Sequence, residues 1–581
     1  MFRRFLVAFG FVIAAAAVSA QDMRPAPEAS SGFREKHVVV ADHQMIVAAD
    51  PLAAEAGREM LRRGGSAVDA AIATEMVLGL VEPQSSGLGG GGFIVYFDAK
   101  SRSLETFDGR ETAPAAAKPD RFLTSDGKPM AFPDAVNSGL SVGVPGLMRM
   151  LEDAHTRYGK LPWADLFKPA IALAENGFPV SQRLATLLAL LKPDDFAPAV
   201  RGYFFDEAGT PRTAGTILKN SEYAATLKSI AEKGASALYE GPIAESIVAA
   251  VKNAPRHPGD LTLADLKSYV AKERPATCVD YRERRVCGMG PPSSGALTVG
   301  STLKLIEPFP QVQGVDARMS APALHIVAEA QKLAFADRNR YIADPDHIGV
   351  PSGLLDAVYL DERRRLIDAT RAMEKAEPGF PPGLAKKTFG IDATHEVPGT
   401  THVSIIDGDG NALAMTVTIE NAFGSRLWAS GFLLNNELTD FSFEPVDANG
   451  DAIANAVAGG KRPRSSMAPT IVLGRDGLPE IVTGSPGGSQ IILYVVKNLV
   501  ALMDWGLDAQ QAVALPNFGS QGGPLIIEYS DNFIWPAFEL TSYGHVISRT
   551  TMTSGVHTIV RRNGHLEGGA DPRREGIALG D

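Results

Sequence analysis

Cysteine is almost missing from this chain: two residues in 581, Cys278 and Cys287. That excludes a small scaffold held together by many disulfides. The chain also has no CxxC and no HExxH, its 11 histidines fall at no metal-ligand spacing, and none of its glycine-rich loops ends in the GK[ST] of a nucleotide-binding loop. No metal site and no other cofactor are expected. There is no basic excess either: 56 Lys and Arg stand against 67 Asp and Glu, a net charge of −11, which argues against nucleic acid as a partner. Beyond the first residues no apolar run is long enough to span a bilayer, and no internal repeat is visible. What remains is a long chain, 45% hydrophobic and 21% charged, able to bury a large core.

The first residues, MFRRFLVAFGFVIAAAAVSAQD, combine two arginines, an apolar core from Phe5 to Val18 and a small-residue ending. They read as a secretory signal peptide, residues 1 to 20, cleaved after Ala20. A retained N-terminal anchor is the competing reading, and the apolar run is short for one. The protein is expected in the periplasm, or secreted, with no membrane span after signal cleavage. In such a compartment Cys278 and Cys287, which flank a short alternating, turn-like segment, are candidates for a disulfide between two antiparallel strands.

Along the chain, DPLAAEAGREMLRRGG predicts an amphipathic helix ending at Gly64-Gly65. SAVDAAIATEMVLGLVEP follows, capped by Ser66 and apolar nearly all round, which predicts a buried helix. The glycine-rich GLGGGGF leads into a two-stranded hairpin. Residues 145 to 370 read as mostly helical. Residues 371 to 399 have no periodicity and are rich in Pro, Gly and Lys; so long a structureless loop usually has a function or is cut. Beyond it the pattern turns β-like, with one helix near 489 to 505.

That loop ends at EVPGTTHVSIIDGDGNALAMTVTIE, residues 396 to 420. One reading is an ordinary loop-to-strand junction. The other is that the Gly399–Thr400 bond is cut, making Thr400 a new N-terminus. An α-amino group titrates near 7.7–8.0 and can serve as general base for its own hydroxyl. DGDGN predicts a tight turn, and a hairpin centred on Asp409 pairs Thr400 with Thr418. Thr418 is then either a helper to the nucleophile or an ordinary cross-strand partner. Gly399, lacking Cβ, leaves its carbonyl open to attack.

VTGSPGGSQIIL opens a helix after a strand, so Gly487 and Gly488 can turn backbone N–H groups toward an oxyanion or a phosphate. Near these loops stand Arg110, Glu437, Asp440, Ser465 and Ser466. Taken singly they are surface residues; together they suit a zwitterion, with an arginine for its carboxylate and acids for its ammonium.

These motifs, in order, resemble the γ-glutamyltranspeptidases: TTHVS, LLNNELTDFS, GKRPRSSMAPTIV, GSPGGSQI and GGADPRREG match the small subunit, and GLGGGGF, FDGRETAP, GLSVGVPG and GPPSSG the large one. The similarity runs from about residue 38 to the C-terminus. It implies an N-terminal-nucleophile hydrolase, an α+β fold with two sheets between helical layers (αββα), and a precursor that cuts itself into a large subunit, 21 to 399, and a small one, 400 to 581, that stay together. By the same resemblance Thr400 is the nucleophile, Thr418 its helper, and Gly487 and Gly488 the oxyanion hole. Arg110, Ser465 and Ser466 hold the substrate's α-carboxylate; Glu420, Glu437 and Asp440 hold its α-ammonium. Residues 441 to 460 are shorter than a lid-bearing counterpart and contain no Tyr, so no gated lid is expected. The implied reaction is γ-glutamyl transfer from glutathione and other γ-glutamyl amides to water, an amino acid or a peptide. A glutaryl (cephalosporin) acylase on the same scaffold is the alternative, and a non-catalytic periplasmic binding protein a further one.

Overall fold

The computed structural model describes residues 30–384, 389–394, 396 and 399–581. The signal-peptide reading, residues 1 to 20, lies outside them. Helix Pro51–Arg62 begins where the Asp50 carboxylate accepts the Leu52 N–H, with proline in its first turn. Helix Ala67–Val81 starts from a reciprocal cap between Ser66 and Asp69, and every one of its residues is buried, as its all-round apolar surface demands.

These two helices cover one face of a seven-stranded antiparallel sheet. Its order is Ile577–Gly580, Met45–Ala48, Thr400–Ile406, Ala412–Thr418, Gly91–Asp98, Ser103–Gly109, Lys272–Arg274. Strand alternation divides its side chains. Val403, Ile405, Leu413, Met415 and Val417 pack with the helices. Val47, Phe93, Val95, Ile406 and Ala414 point the other way, into a core shared with a second sheet. That sheet also has seven strands, with His557–Arg562, Pro479–Gly484 and Thr470–Leu473 at its centre. Helices Gly295–Ile306, Ile491–Met503 and Ala509–Ala514 pack on it. Helix, sheet, sheet, helix is the layering expected.

The central hairpin has the expected register: Thr400 pairs with Thr418, Ile405 with Leu413, and the Asp407 N–H reaches the Asn411 carbonyl. Its turn is fixed locally by the Asp407 carboxylate, which accepts the N–H groups of Asp409 and Asn411 and also that of Ala67 at the start of the buried helix. The helical middle differs from expectation at residues 272–288, where three strands join the two sheets: Lys272–Arg274, Thr277–Tyr281 and Arg284–Gly288. Their alternating residues are half-buried, which suits sheet edges. Cys278 and Cys287 are direct cross-strand partners there and form a disulfide of 2.07 Å. Among the described residues no helix is long and apolar enough to cross a membrane.

Candidate active site

Thr400 is the first residue of a central strand and is buried. The Thr418 hydroxyl donates to the Gly399 carbonyl oxygen at 2.6 Å, accepts the Glu420 N–H at 2.7 Å, and takes a long contact of 3.4 Å from the Thr400 hydroxyl. The carbonyl carbon next to Thr400 thus has its oxygen held by a hydroxyl donor, which is where negative charge would grow if the Thr400 oxygen attacked it. Arg574, from the C-terminal DPRREG, donates to the Thr400 carbonyl oxygen at 3.4 Å. Gly399 is required by close approach: a methyl group there would collide with the Glu420 carbonyl and the Asn421 backbone. Glu420 itself has φ +73°, a left-handed conformation that a glutamate rarely adopts.

Two rungs along, His402 bonds Thr416 at 2.8 Å and Ser404 at 3.1 Å, and its carbonyl accepts from His557 at 2.6 Å. Burial, together with the nearby His557, pushes the His402 imidazole well below its ordinary value. It is a neutral member of a polar row between the sheets, and its ring nitrogens are occupied away from Thr400.

A second group of side chains collects around Arg110, which follows strand Ser103–Gly109. Its guanidinium pairs with Glu437 and, at 2.5 Å, with Asp440, and donates to the carbonyls of Pro463 and Arg464. Glu111 lies 4.0 Å from it. Glu420 accepts from Asn436 at 2.5 Å. One guanidinium therefore serves four buried acids: Glu111, Glu420, Glu437 and Asp440. Burial raises the pKa of all four. Among the neighbouring groups, Glu437 and Asp440 raise Glu420 further, Glu437 raises Glu111, and Arg110 offsets the rise only in part. The group is short of positive charge.

A third group was not foreseen. Glu396, four residues before Thr400, pairs with Arg338, with Arg464 at 3.4 Å, and with the Ser466 hydroxyl at 2.5 Å. Asp392 pairs with Arg464 at 3.0 Å. Burial would raise the Glu396 carboxyl, but Arg338, Arg464 and Ser466 bring it down to about 2. Its signals were present as RPRSS and ADRNR, yet nothing local joins them.

Thr400, Thr418, Arg110, Glu420, Glu437, Asp440, Ser465, Ser466 and Gly488 all line one recess of only about 20 Å³, and Glu111 does not reach it. Gly488, at φ +55°, faces it from the turn before helix Ile491–Met503, and Gly487, at φ +139°, lies one residue back, where a methyl group would collide with the Tyr494 ring. The structure thus assembles the predicted site residues. It does not leave Arg110 and Ser466 open to a ligand: Arg110 is held by acids and Ser466 by Glu396. The Ser465 hydroxyl accepts the Met467 N–H at 3.1 Å. Elsewhere His325, Glu329 and His545 meet in the interior, an arrangement that sequence spacing did not show. Both His325 nitrogens are engaged, by His545 Nε2 and the Asp368 carbonyl, and the Lys332 ammonium lies 2.8 Å from Glu329 and opposes a cation there.

A family model for gamma-glutamyltranspeptidase matches residues 53–581. The chain belongs to the γ-glutamyltranspeptidase family. It is 36% identical to the glutathione hydrolase proenzyme of Escherichia coli (strain K12), covering 98% of this chain and 97% of that one. It is 34% identical to the proenzyme of Bacillus subtilis (strain 168), over 94% and 92%. Among solved structures it resembles a cephalosporin acylase from Bacillus halodurans (TM-score 0.82, 28% identity, 94% and 97% covered) and the γ-glutamyltranspeptidase of Helicobacter pylori (TM-score 0.54, 31% identity, 60% and 97% covered). The fold is that of the N-terminal-nucleophile hydrolases, and the protein is an enzyme of this family.

Proposed function

We propose that the exported precursor cuts its own Gly399–Thr400 bond, leaving subunits 21 to 399 and 400 to 581 together, and that Thr400 then carries a γ-glutamyl group from glutathione or a related amide to water, an amino acid or a peptide. In the precursor the Thr400 oxygen attacks the Gly399 carbonyl carbon, whose oxygen the Thr418 hydroxyl already holds. The Thr400 nitrogen leaves as the free α-amine, and water hydrolyses the Gly399 ester so formed, freeing the Gly399 carboxylate and the Thr400 hydroxyl. In the mature protein the α-amino group of Thr400 takes the proton of the attacking hydroxyl. Backbone N–H groups at Gly487 and Gly488 are suited to the oxyanion of the tetrahedral intermediate. Amine departs, and water or an acceptor amine releases the acyl group.

The observation that carries this reading is the four buried acids around one arginine, three of which, Glu420, Glu437 and Asp440, line the recess beside Thr400. A site so short of positive charge favours a donor bearing an ammonium, which a γ-glutamyl group has and a glutaryl group lacks. The likeness to a cephalosporin acylase keeps the glutaryl reading as the alternative. Purified protein should run as two bands on a denaturing gel, with the small fragment beginning Thr-Thr-His-Val. Thr400→Ala should remain one chain without turnover, and Thr400→Ser should still cut. Full activity in an uncut chain, or wild-type preference for glutaryl over γ-glutamyl anilide, would overturn the proposal.

A further inference from the structure

Arg338 and Arg464 are almost wholly buried, 3% and 1% exposed, and their charges need compensation. Among the described residues, the only carboxylates paired with either are Glu396 and Asp392. Arg338 otherwise donates to neutral oxygens of Ser294, Asn339 and Ser466. Arg464 has Nε and Nη1 buried without a partner among the described residues. Both compensating acids lie within eight residues before the Gly399–Thr400 bond, on the stretch whose end the cut sets free.

The recess beside Thr400 is too small for more than about one water, and Glu396 forms part of its wall. A γ-glutamyl donor cannot enter while Glu396 stays where it is. If it leaves, Arg338 loses its one paired carboxylate among the described residues, and Arg464 keeps only Asp392, at the edge of the enlarged site. Its departure also removes a negative neighbour that raises the Asp440 pKa, which leaves Asp440 readier to meet an ammonium.

We infer that Arg338, Arg464 and Ser466 form a carboxylate subsite, filled before cleavage by the chain's own Glu396 and afterwards by a carboxylate of the substrate. It is a second anion locus, apart from Arg110, whose guanidinium is already committed to Glu437 and Asp440. The inference rests on the proposed maturation at Thr400. The carboxylate has two possible sources, the α-carboxylate of the acyl group or one on the leaving or accepting amine.

Two measurements test it. In mature enzyme, kcat/KM is compared for γ-glutamyl p-nitroanilide, for the 4-aminobutyryl analogue, which lacks the α-carboxylate, and for γ-glutamyl 3-carboxy-4-nitroanilide, which adds one on the leaving group. Arg464→Met should shrink the preference for the carboxylate-bearing member of one pair by about a hundredfold, and the pair affected names the source. Equal losses on all three substrates would overturn the inference.

The second measurement needs neither cleavage nor turnover. The uncut Thr400→Ala chain is compared with Thr400→Ala/Glu396→Ala by thermal unfolding. The double variant should melt lower, and acetate, but not acetamide, should restore its midpoint by binding the folded state. Identical responses to acetate and acetamide, or no loss of stability, would overturn the inference. A Thr400→Ala chain that still splits would instead strike the maturation reading, because the acetate response can be read in cut or uncut protein.

Discussion

In one group near Thr400 a single guanidinium, Arg110, sits among four buried carboxylates; in another, two guanidiniums, Arg338 and Arg464, are paired, among the described residues, only with carboxylates of residues 392 and 396. The acids of the first group are anchored in the folded body of the protein, three of them on the segment from Glu420 to Asp440 that follows the central hairpin. Its imbalance is permanent, so it holds affinity for a cation. Among the described residues, the second group is balanced only by Asp392 and Glu396, next to the Gly399–Thr400 bond. On the proposed maturation, only the second group would change its charge balance when that stretch is released, leaving the site complementary to a zwitterion.

Breaking the acid side should have the larger effect. Asp440→Asn preserves size and removes one charge, leaving a substrate ammonium poorly compensated in a buried pocket, at a cost of about 3–5 kcal/mol or two to three orders of magnitude in kcat/KM. The loss should be confined to γ-glutamyl anilide, while any weak turnover of glutaryl anilide is spared. Equal losses on both would assign Asp440 a purely structural role. Next in size is Thr418→Ala, which removes the donor to the Gly399 carbonyl. Cleavage followed on a gel should slow by about one to two orders of magnitude, and wild-type cleavage would reduce the pair to an ordinary cross-strand contact.

The smallest effect is on stability against pH. Burial and the neighbouring acids push Asp440 up to about 8 despite Arg110. A carboxyl whose folded pKa exceeds its unfolded value binds more protons when folded, so its contribution is complete below about pH 4 and is lost as pH rises through the folded value. Glu396 has the opposite sign: with its folded pKa depressed, it stabilises above about pH 4 and loses that contribution as pH falls toward 2. Between pH 4 and 8 the melting midpoint of Thr400→Ala should therefore fall more than that of Thr400→Ala/Asp440→Asn, by on the order of a few °C. Parallel curves would show that Asp440 is not the group titrating.

What the residues announced were local matters. The Thr400–Thr418 register follows from strand alternation and from the turn at Asp407 to Asn411, all within nineteen consecutive residues. The Ser66 cap, the buried helix after it and the glycines of the SPGG loop are equally short-range signals. Arg110, Glu420, Glu437, Asp440, Ser465 and Ser466 could be named from motifs, but not their partners. Motif order suggested an arginine open to a carboxylate, whereas packing turned Arg110 onto Glu437 and Asp440, more than three hundred residues away.

Sequence by itself therefore determined the buried helix and the hairpin register, because periodicity and turn chemistry act over a few residues, while the two-sheet layering was legible only through the family resemblance. Only the tertiary structure decided which charges meet. Arg338 reaches Glu396 across 58 residues and Ser466 across 128, and no local rule encodes such pairings. They are chosen when a helix, a strand junction and a loop come together in a dry interior, where an unpaired charge is too costly to keep.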